Sequence, residues 1–378
     1  MGEKMRIAIL VPFFLPVVGG MEAHAYELAR DLKKRGHEPE VLTANMDHSG
    51  KKSFAPAEEV GGVECRRYNV WLRFGKFASL WPGFISDLGK YDIIHVQNMR
   101  HPHTDLAMIF GKLMGKKVVI SPQSPLHEGT HSKLQELLIK FYDNLILPIT
   151  FRFYDAIFAH HVKEKEYLVR HGAPANKIYV VNLGVGEETF KPCRKGYFSK
   201  GGKRILLFVG RLSNMKGLEV LLKAFAFAKL KNWQLVLVGP DGGELGKLKR
   251  LQKELNLKNL IFWGAVSENE VERATADADA FILPSQYEPY GLVLIKAMAK
   301  GVPCIAVNAG GPSEIILDGK TGLLCKYDPA DMAKAMEKML GNPAMLKRMG
   351  KEAEKRARIF TVEEMVDKYE LVYEKLLM

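Results

Sequence analysis

Twice along the chain, short runs of apolar and β-branched residues alternate with longer amphipathic stretches, and this repeat restricts the fold more than any other feature. Strands that stay apolar along their whole length are buried on both faces. That is the condition of strands in a parallel sheet covered by crossover helices. In the first half, residues 7–11, 40–43, 93–96, 117–121, 156–159 and 178–181 are predicted strands, with helices over stretches such as 21–35 and 133–147. Residues 184–202, rich in Gly and Lys, break the pattern and read as a linker. It then restarts, with strands at 204–209, 234–238, 260–263, 280–283 and 304–306. The prediction is an α/β chain of two Rossmann-like doubly wound domains facing a cleft, over 1–187 and 188–360. The amphipathic helix in 361–378 is expected to pack back onto the first. A length of 378 residues suits two such domains. In such sheets, ligands bind at the carboxyl ends of the strands.

Lys4 and Arg6 stand before an apolar run, 7–18, that resembles an export signal. Pro12 and Pro16 interrupt it and Gly19–Gly20 open a helix, so it is read as a buried first strand. No run of about 18 apolar residues is present to make a membrane helix. The four cysteines, Cys65, Cys193, Cys304 and Cys325, form no Cys-x-x-Cys pair, and there is no Asn-x-Ser/Thr sequon. The expected setting is the cytoplasm. A formal charge of +12 favours anionic ligands, among them nucleotides, phosphorylated sugars and acidic lipid surfaces. The cations are spread out and follow no nucleic-acid recognition motif, so nucleic acid is not an expected partner.

Three pattern matches fail on context. His127-Glu128-Gly129-Thr130-His131 fits a zinc-protease pattern, but Pro122, Pro125 and Gly129 make it a loop rather than the helix that metal binding needs. Gly319-Lys320-Thr321 has Glu314 where a P-loop requires glycine. Gly184-Val185-Gly186-Glu187-Glu188-Thr189 lacks the third glycine of the dinucleotide fingerprint. No metal ligand set is assigned.

A stronger constellation lies in the second half. Gly210-Arg211-Leu212-Ser213-Asn214-Met215-Lys216-Gly217 leaves a buried strand and opens a helix, placing two cations where an anionic leaving group fits. Leu283-Pro284-Ser285-Gln286-Tyr287-Glu288-Pro289-Tyr290-Gly291 leaves another strand and enters a helix. Gly291 and Leu292 then offer free backbone N–H groups to a phosphate. Glu288 is placed to accept sugar hydroxyls. Ala297-Met298-Ala299-Lys300-Gly301-Val302-Pro303, Gly310-Gly311-Pro312-Ser313-Glu314-Ile315-Ile316 and Thr321-Gly322 follow.

In this order the run resembles the donor-binding domain of the family 4 retaining glycosyltransferases, which have the two-Rossmann-domain GT-B architecture. Pro16-Val17-Val18-Gly19-Gly20-Met21-Glu22 is similar to that family's glycine loop facing the donor phosphates. The resemblance spans almost the whole chain. It implies an N-terminal acceptor-side domain, a C-terminal donor-binding domain, and metal-independent transfer of a sugar from a nucleotide sugar to a carbohydrate or lipid-linked acceptor. The implied catalytic residues are Arg211, Lys216 and Glu288. Donor contacts fall to Gly19, Gly20, Gly210, Gly291, Leu292, Lys296 and Val266, and the acceptor side to Glu22, Gln123 and His127. No cofactor is implied.

Two positions depart from the family. Lys296 stands where a second glutamate usually binds the donor ribose, and Gln123 stands where a Ser-Pro-His-like turn usually places a histidine. Both bear on donor choice and turnover. They keep two other readings open: a non-catalytic partner subunit, and a nucleotide-sugar epimerase of the same fold. Elsewhere, 66–81 interleaves cations with aromatics, which suits either a peripheral contact with an anionic membrane at its inner face or an ordinary core. Residues 141–154 read as core.

Overall fold

The computed structural model describes residues 3–17, 19–47, 49–74, 78–123, 137, 139–193, 196–198 and 201–378. They form two compact units, Met1–Leu183 with Val362–Met378, and Gly184–Thr361.

The first unit is built on an eight-stranded sheet. Its strands are β1 (Arg6–Val11), β2 (Glu38–Ala44), β3 (Ala57–Val60), β4 (Val63–Tyr68), β7 (Ile93–Gln97), β8 (Lys117–Ser121), β9 (Ala156–Ala159) and β10 (Ile178–Val180), in the order β10-β9-β8-β7-β1-β2-β4-β3. All pairs are parallel except the β3–β4 hairpin at one edge. A separate small ribbon joins β5 (Leu72–Phe74) to β6 (Ala78–Leu80). Ile7, Ile9, Ile93, Ile94, Val118 and Val119 are wholly buried, as strands covered on both faces require. The strand order reverses between β1 and β7.

The C-terminal helix Val362–Leu377 buries Val362, Met365, Val366, Tyr369, Val372 and Tyr373, an i, i+3, i+4, i+7 stripe. It packs on the helix Gly20–Lys34. Glu370 there takes Arg35 at 2.7 Å and His37 Nε2 at 2.8 Å, and Asp367 also pairs with Arg35.

The second unit has a six-stranded, all-parallel sheet. Its strands are β11 (Arg204–Val209), β12 (Trp233–Val238), β13 (Leu260–Gly264), β14 (Ala280–Leu283), β15 (Cys304–Val307) and β16 (Gly322–Cys325), in the order β13-β12-β11-β14-β15-β16. Here the order reverses between β11 and β14. Its helix starts are capped from the sequence. Ser267 and Glu270 form a capping box before Glu268–Asp277, and Asp328 accepts from the Ala330 and Asp331 N–H groups.

Two sequence expectations change. The described residues of 184–202 are not a structureless linker: Val185 bridges to Thr361, Val185 and Phe198 are buried in the second core, and the Phe198 N–H bonds to Asp277. Nor is 141–154 a core segment. Leu147, Phe151 and Tyr154 are buried, but Phe141, Leu145, Ile149 and Phe153 are more than half exposed. The helix here runs on to Phe153 through a π turn at Tyr142–Ile146, which ends two residues before Pro148. A proline has no N–H and its ring crowds the preceding turn, and the wider turn takes up that defect.

Candidate active site

In the second unit, the reversal between β11 and β14 brings together the loops that follow them, the place where a doubly wound sheet binds ligand. Gly217 holds the first loop close. Its φ is +64°, and a β-carbon there would overlap the carbonyl oxygen of Pro284. The 287–291 segment rests in turn on Gly310 and Gly311. Gly311 N–H donates to Glu288 O at 2.9 Å, and a side chain at Gly310 would displace that carbonyl.

This scaffold sets a charged pair. Lys216 Nζ lies 2.7 Å from Glu288 Oε2, both part-buried, and Glu288 Oε1 accepts the Gly291 N–H at 3.4 Å. Gly291, at φ +75°, caps the helix Leu292–Ala299, whose first N–H groups have no carbonyl partner within the helix. Arg211 follows β11 and Gly210 and is exposed. At the end of β14, Ser285 Oγ is buried with no hydrogen-bond partner among the described residues, a polar atom left for a ligand.

Lys296 does not stand alone. Its Nζ reaches Glu268 Oε1 at 2.6 Å, so a carboxylate is present beside position 296 after all, supplied by the first turn of the helix Glu268–Asp277. Val266, two residues earlier, is half-buried against the second core. Sequence reasoning missed Glu268. The pair spans 28 positions, and the only local sign was an acidic first turn after Ser267.

In the first unit, Gly19 caps the helix Gly20–Lys34, with Glu22 in its first turn. Glu22 is buried, and burial pushes its carboxyl above the ordinary carboxylate value. Past the ends of β7 and β8, Asn98, Arg100 and Gln123 all take positive φ, of 73°, 65° and 52°. Non-glycine residues held there are strained, and such strain gathers at functional sites.

Gln123 begins a buried polar chain that the sequence did not reveal. One consistent donor order starts with Gln123 Nε2 donating to His24 Nδ1 (3.1 Å). His24 Nε2 then donates to Tyr369 Oη (3.3 Å), and Tyr369 to Ser121 Oγ (3.3 Å). Ser121 donates to His95 Nε2 (2.8 Å), and His95 Nδ1 to Tyr373 Oη (2.6 Å). Gln123 Nε2 also reaches Gln97 Oε1 at 2.8 Å, leaving Gln123 Oε1 buried with no hydrogen-bond partner among the described residues. Burial holds His24, His95 and His160 down to about 3, so all three are neutral at physiological pH.

His127 lies outside the described residues, as does the His127–His131 segment. Among the described residues, no three His, Cys, Asp or Glu side chains gather as a metal site. In 66–81, Arg66 bonds Glu40 at 2.9 Å, Arg67 pairs with Glu58, and Trp81 is fully buried against His103 and Phe84. Trp71 and Leu72 are exposed, and residues 75–77 lie outside the described residues.

Residues 18–188 match the family model Glycosyltransferase Family 4, and residues 191–356 match Glycosyl transferases group 1. The chain is 31% identical over 377 residues to D-inositol 3-phosphate glycosyltransferase 2 of Catenulispora acidiphila, covering 90% of this chain and 86% of that one. It is 27% identical to N-acetyl-alpha-D-glucosaminyl L-malate synthase of Bacillus anthracis, covering 98% and 97%. In fold it resembles Anabaena HepE in complex with UDP-glucose, with a TM-score of 0.78 and 19% identity over 98% and 99% of the two chains. Both units are those of the GT-B fold.

Proposed function

We propose a reaction for this chain, which belongs to the family 4 glycosyltransferases: transfer of a sugar from a nucleoside-diphosphate donor to a carbohydrate or lipid-linked acceptor, with retention at the anomeric carbon. The observation that carries it is the Lys216–Glu288 pair, set at the reversal of the second sheet beside a helix N-terminus. As the bond from sugar to phosphate breaks, positive charge grows on the sugar and negative charge on the leaving diphosphate. Lys216 spends one N–H on Glu288 and keeps two for phosphate oxygens, joined by Arg211 and the N–H groups at Leu292. Glu288 accepts from Lys216 and Gly291 and retains lone pairs for sugar hydroxyls, which orients the donor.

Glu268, held by Lys296, serves the ribose diol that an ammonium cannot accept from. On the acceptor side, Gln123 Oε1 accepts a substrate hydroxyl. Arg211 and Lys216 take the charge role, and no metal is assigned a step. The UDP and UDP-glucose bound in HepE structures make uridine diphosphate sugars the first donors to test.

The test is a thermal-shift screen over nucleotide sugars, followed by product analysis with excess chelator present. A ligand at a hundred times its Kd stabilises by about 2.7 kcal/mol, well within detection. Released nucleoside diphosphate with an α-linked product from an α-linked donor supports the reading. An isomerised donor indicates an epimerase, and binding without turnover a partner subunit; either would overturn it.

A further inference from the structure

In the first unit, Leu137, Phe141, Leu145, Ile149 and Phe153 recur at every fourth residue, and each is 52–64% exposed. All lie in helical backbone, with the π turn Tyr142–Ile146 in the middle. In a pure α-helix a four-residue repeat drifts by about 40° per step, and the wider π turn works against that drift. The helix packs against its neighbour Pro102–Leu113, which exposes Ile109 and Leu113 in turn. Large apolar side chains gathered on one flank of a folded chain mark an interaction surface.

The charges around them say what kind. Among the described residues of 137–153, the remaining exposed side chains are Lys140, Asn144 and Arg152, two cations and no acid. The acids nearby are engaged within the protein. Asp143 is buried, with Arg100 at 2.6 and 2.7 Å. Asp105 takes the Tyr142 hydroxyl at 2.8 Å, and Asp155 takes Lys112. An apolar stripe whose charged neighbours among the described residues are cations is complementary to an anionic bilayer, where rings and branched chains enter the acyl boundary and ammonium groups meet phosphates.

We infer that the face made by the described residues of 137–153 and by Pro102–Leu113 docks the protein on an anionic lipid surface. This face shares no residue with the proposed active site and does not depend on the proposed reaction. It also differs from the aromatic stretch 66–81, whose Arg66 and Arg67 are held by Glu40 and Glu58.

The experiment is co-sedimentation of the full chain with vesicles of phosphatidylcholine, with and without phosphatidylglycerol. Binding to the anionic vesicles is expected, weakening as salt rises. Ile149→Gln with Phe153→Gln should lower the partition at least tenfold, and Arg152→Gln about fivefold. Trp71→Ser should leave it unchanged. The altered side chains are exposed, so an unchanged Tm is the accompanying check on the fold. No sedimentation with anionic vesicles at low salt overturns the inference. So does loss of binding in Trp71→Ser but not in the helix variants. A dimer dissolved by the helix variants, without vesicle binding, makes the face a contact between copies and overturns it too.

Discussion

A β-carbon on Gly19 would overlap Oε2 of Glu22, because the Glu22 carboxylate turns back over the N-terminus of its own helix. That terminus is where the family resemblance places a donor phosphate, and two anions cannot share it without repulsion. Burial raises the Glu22 carboxyl, so protonation clears the seat at low pH and ionisation fills it as pH rises. Affinity for UDP should therefore fall as pH climbs through the Glu22 titration. In Glu22→Gln that limb should vanish, with binding at neutral pH tighter on the order of tenfold. Titration calorimetry at several pH values decides it. Identical profiles in both proteins would remove phosphate from Gly19–Gly20.

Lys216 and Arg211 are proposed to act on charge that appears only in the transition state, so their loss should strike kcat more than KM. A cation about 4 Å from a developing charge, at an effective dielectric near 20, contributes roughly 4 kcal/mol before desolvation. Lys216→Ala and Arg211→Ala should each slow turnover on the order of a hundredfold or more, with Tm little changed. Steady-state kinetics with the donor found in the screen measures both. Wild-type rates in either variant would exclude that cation from catalysis.

The parallel strands were legible because β1 and β11 are apolar after their first residue and β14 along its whole length, a pattern that water on either face would forbid, while β7 keeps Ile93, Ile94 and Val96 beside the buried polar His95 and Gln97. The β3–β4 hairpin was not. Its strands carry Glu58, Glu64, Arg66 and Arg67, and the arginines find their partners only once the strands pair, Arg67 on Glu58 within the hairpin and Arg66 on Glu40 of β2. β16 is four residues long, too short to show a period. At the candidate site, Gly217, Glu288 and Gly291 were marked by loop chemistry, whereas Glu268, His24 and Tyr369 meet their partners only through tertiary packing. Composition alone misjudged 141–154, since the spacing of Phe141, Leu145 and Ile149 decides which face they share.

The pair formed by Lys296 and Glu268 yields a charge-swap test. Glu268 is three-quarters exposed, so the ion pair itself adds little to stability. If its carboxylate accepts the ribose diol, Glu268→Ala should weaken UDP binding by about 1–3 kcal/mol without moving Tm. Lys296→Glu alone should set two carboxylates against each other, whereas Lys296→Glu combined with Glu268→Lys should recover most of the lost affinity. Calorimetry on the wild type, Lys296→Glu, Glu268→Lys and the double swap gives the coupling directly. Equal affinity throughout would detach both residues from the nucleotide.

All eleven histidines of the chain lie before residue 172, so every one belongs to the first unit. Burial, the main cause in each case, holds His24, His95 and His160 down to about 3 and His101 and His161 to about 4, and pushes His103 well below its ordinary value. Unfolded, each would titrate near 6.5. As pH falls from about 6.5 towards 4, the unfolded state takes up protons that the folded state refuses, and stability is lost. Each histidine contributes about 1.4 kcal/mol per pH unit in that window. Glu22 and Asp105, raised by burial, act in the opposite sense, but they are two against six. By pH 5.5 the six together remove on the order of 5–8 kcal/mol, comparable with the whole stability of an ordinary domain. The first unit should therefore unfold in mild acid while the second, which has no histidine, stays folded. Hydrogen exchange read by mass spectrometry at pH 7.5 and 5.5 distinguishes the two units. Protection should collapse in β1, β7 and β8 and persist in β11 and β12. Equal loss in both units, or none in either, would mean that the buried histidines do not govern acid stability.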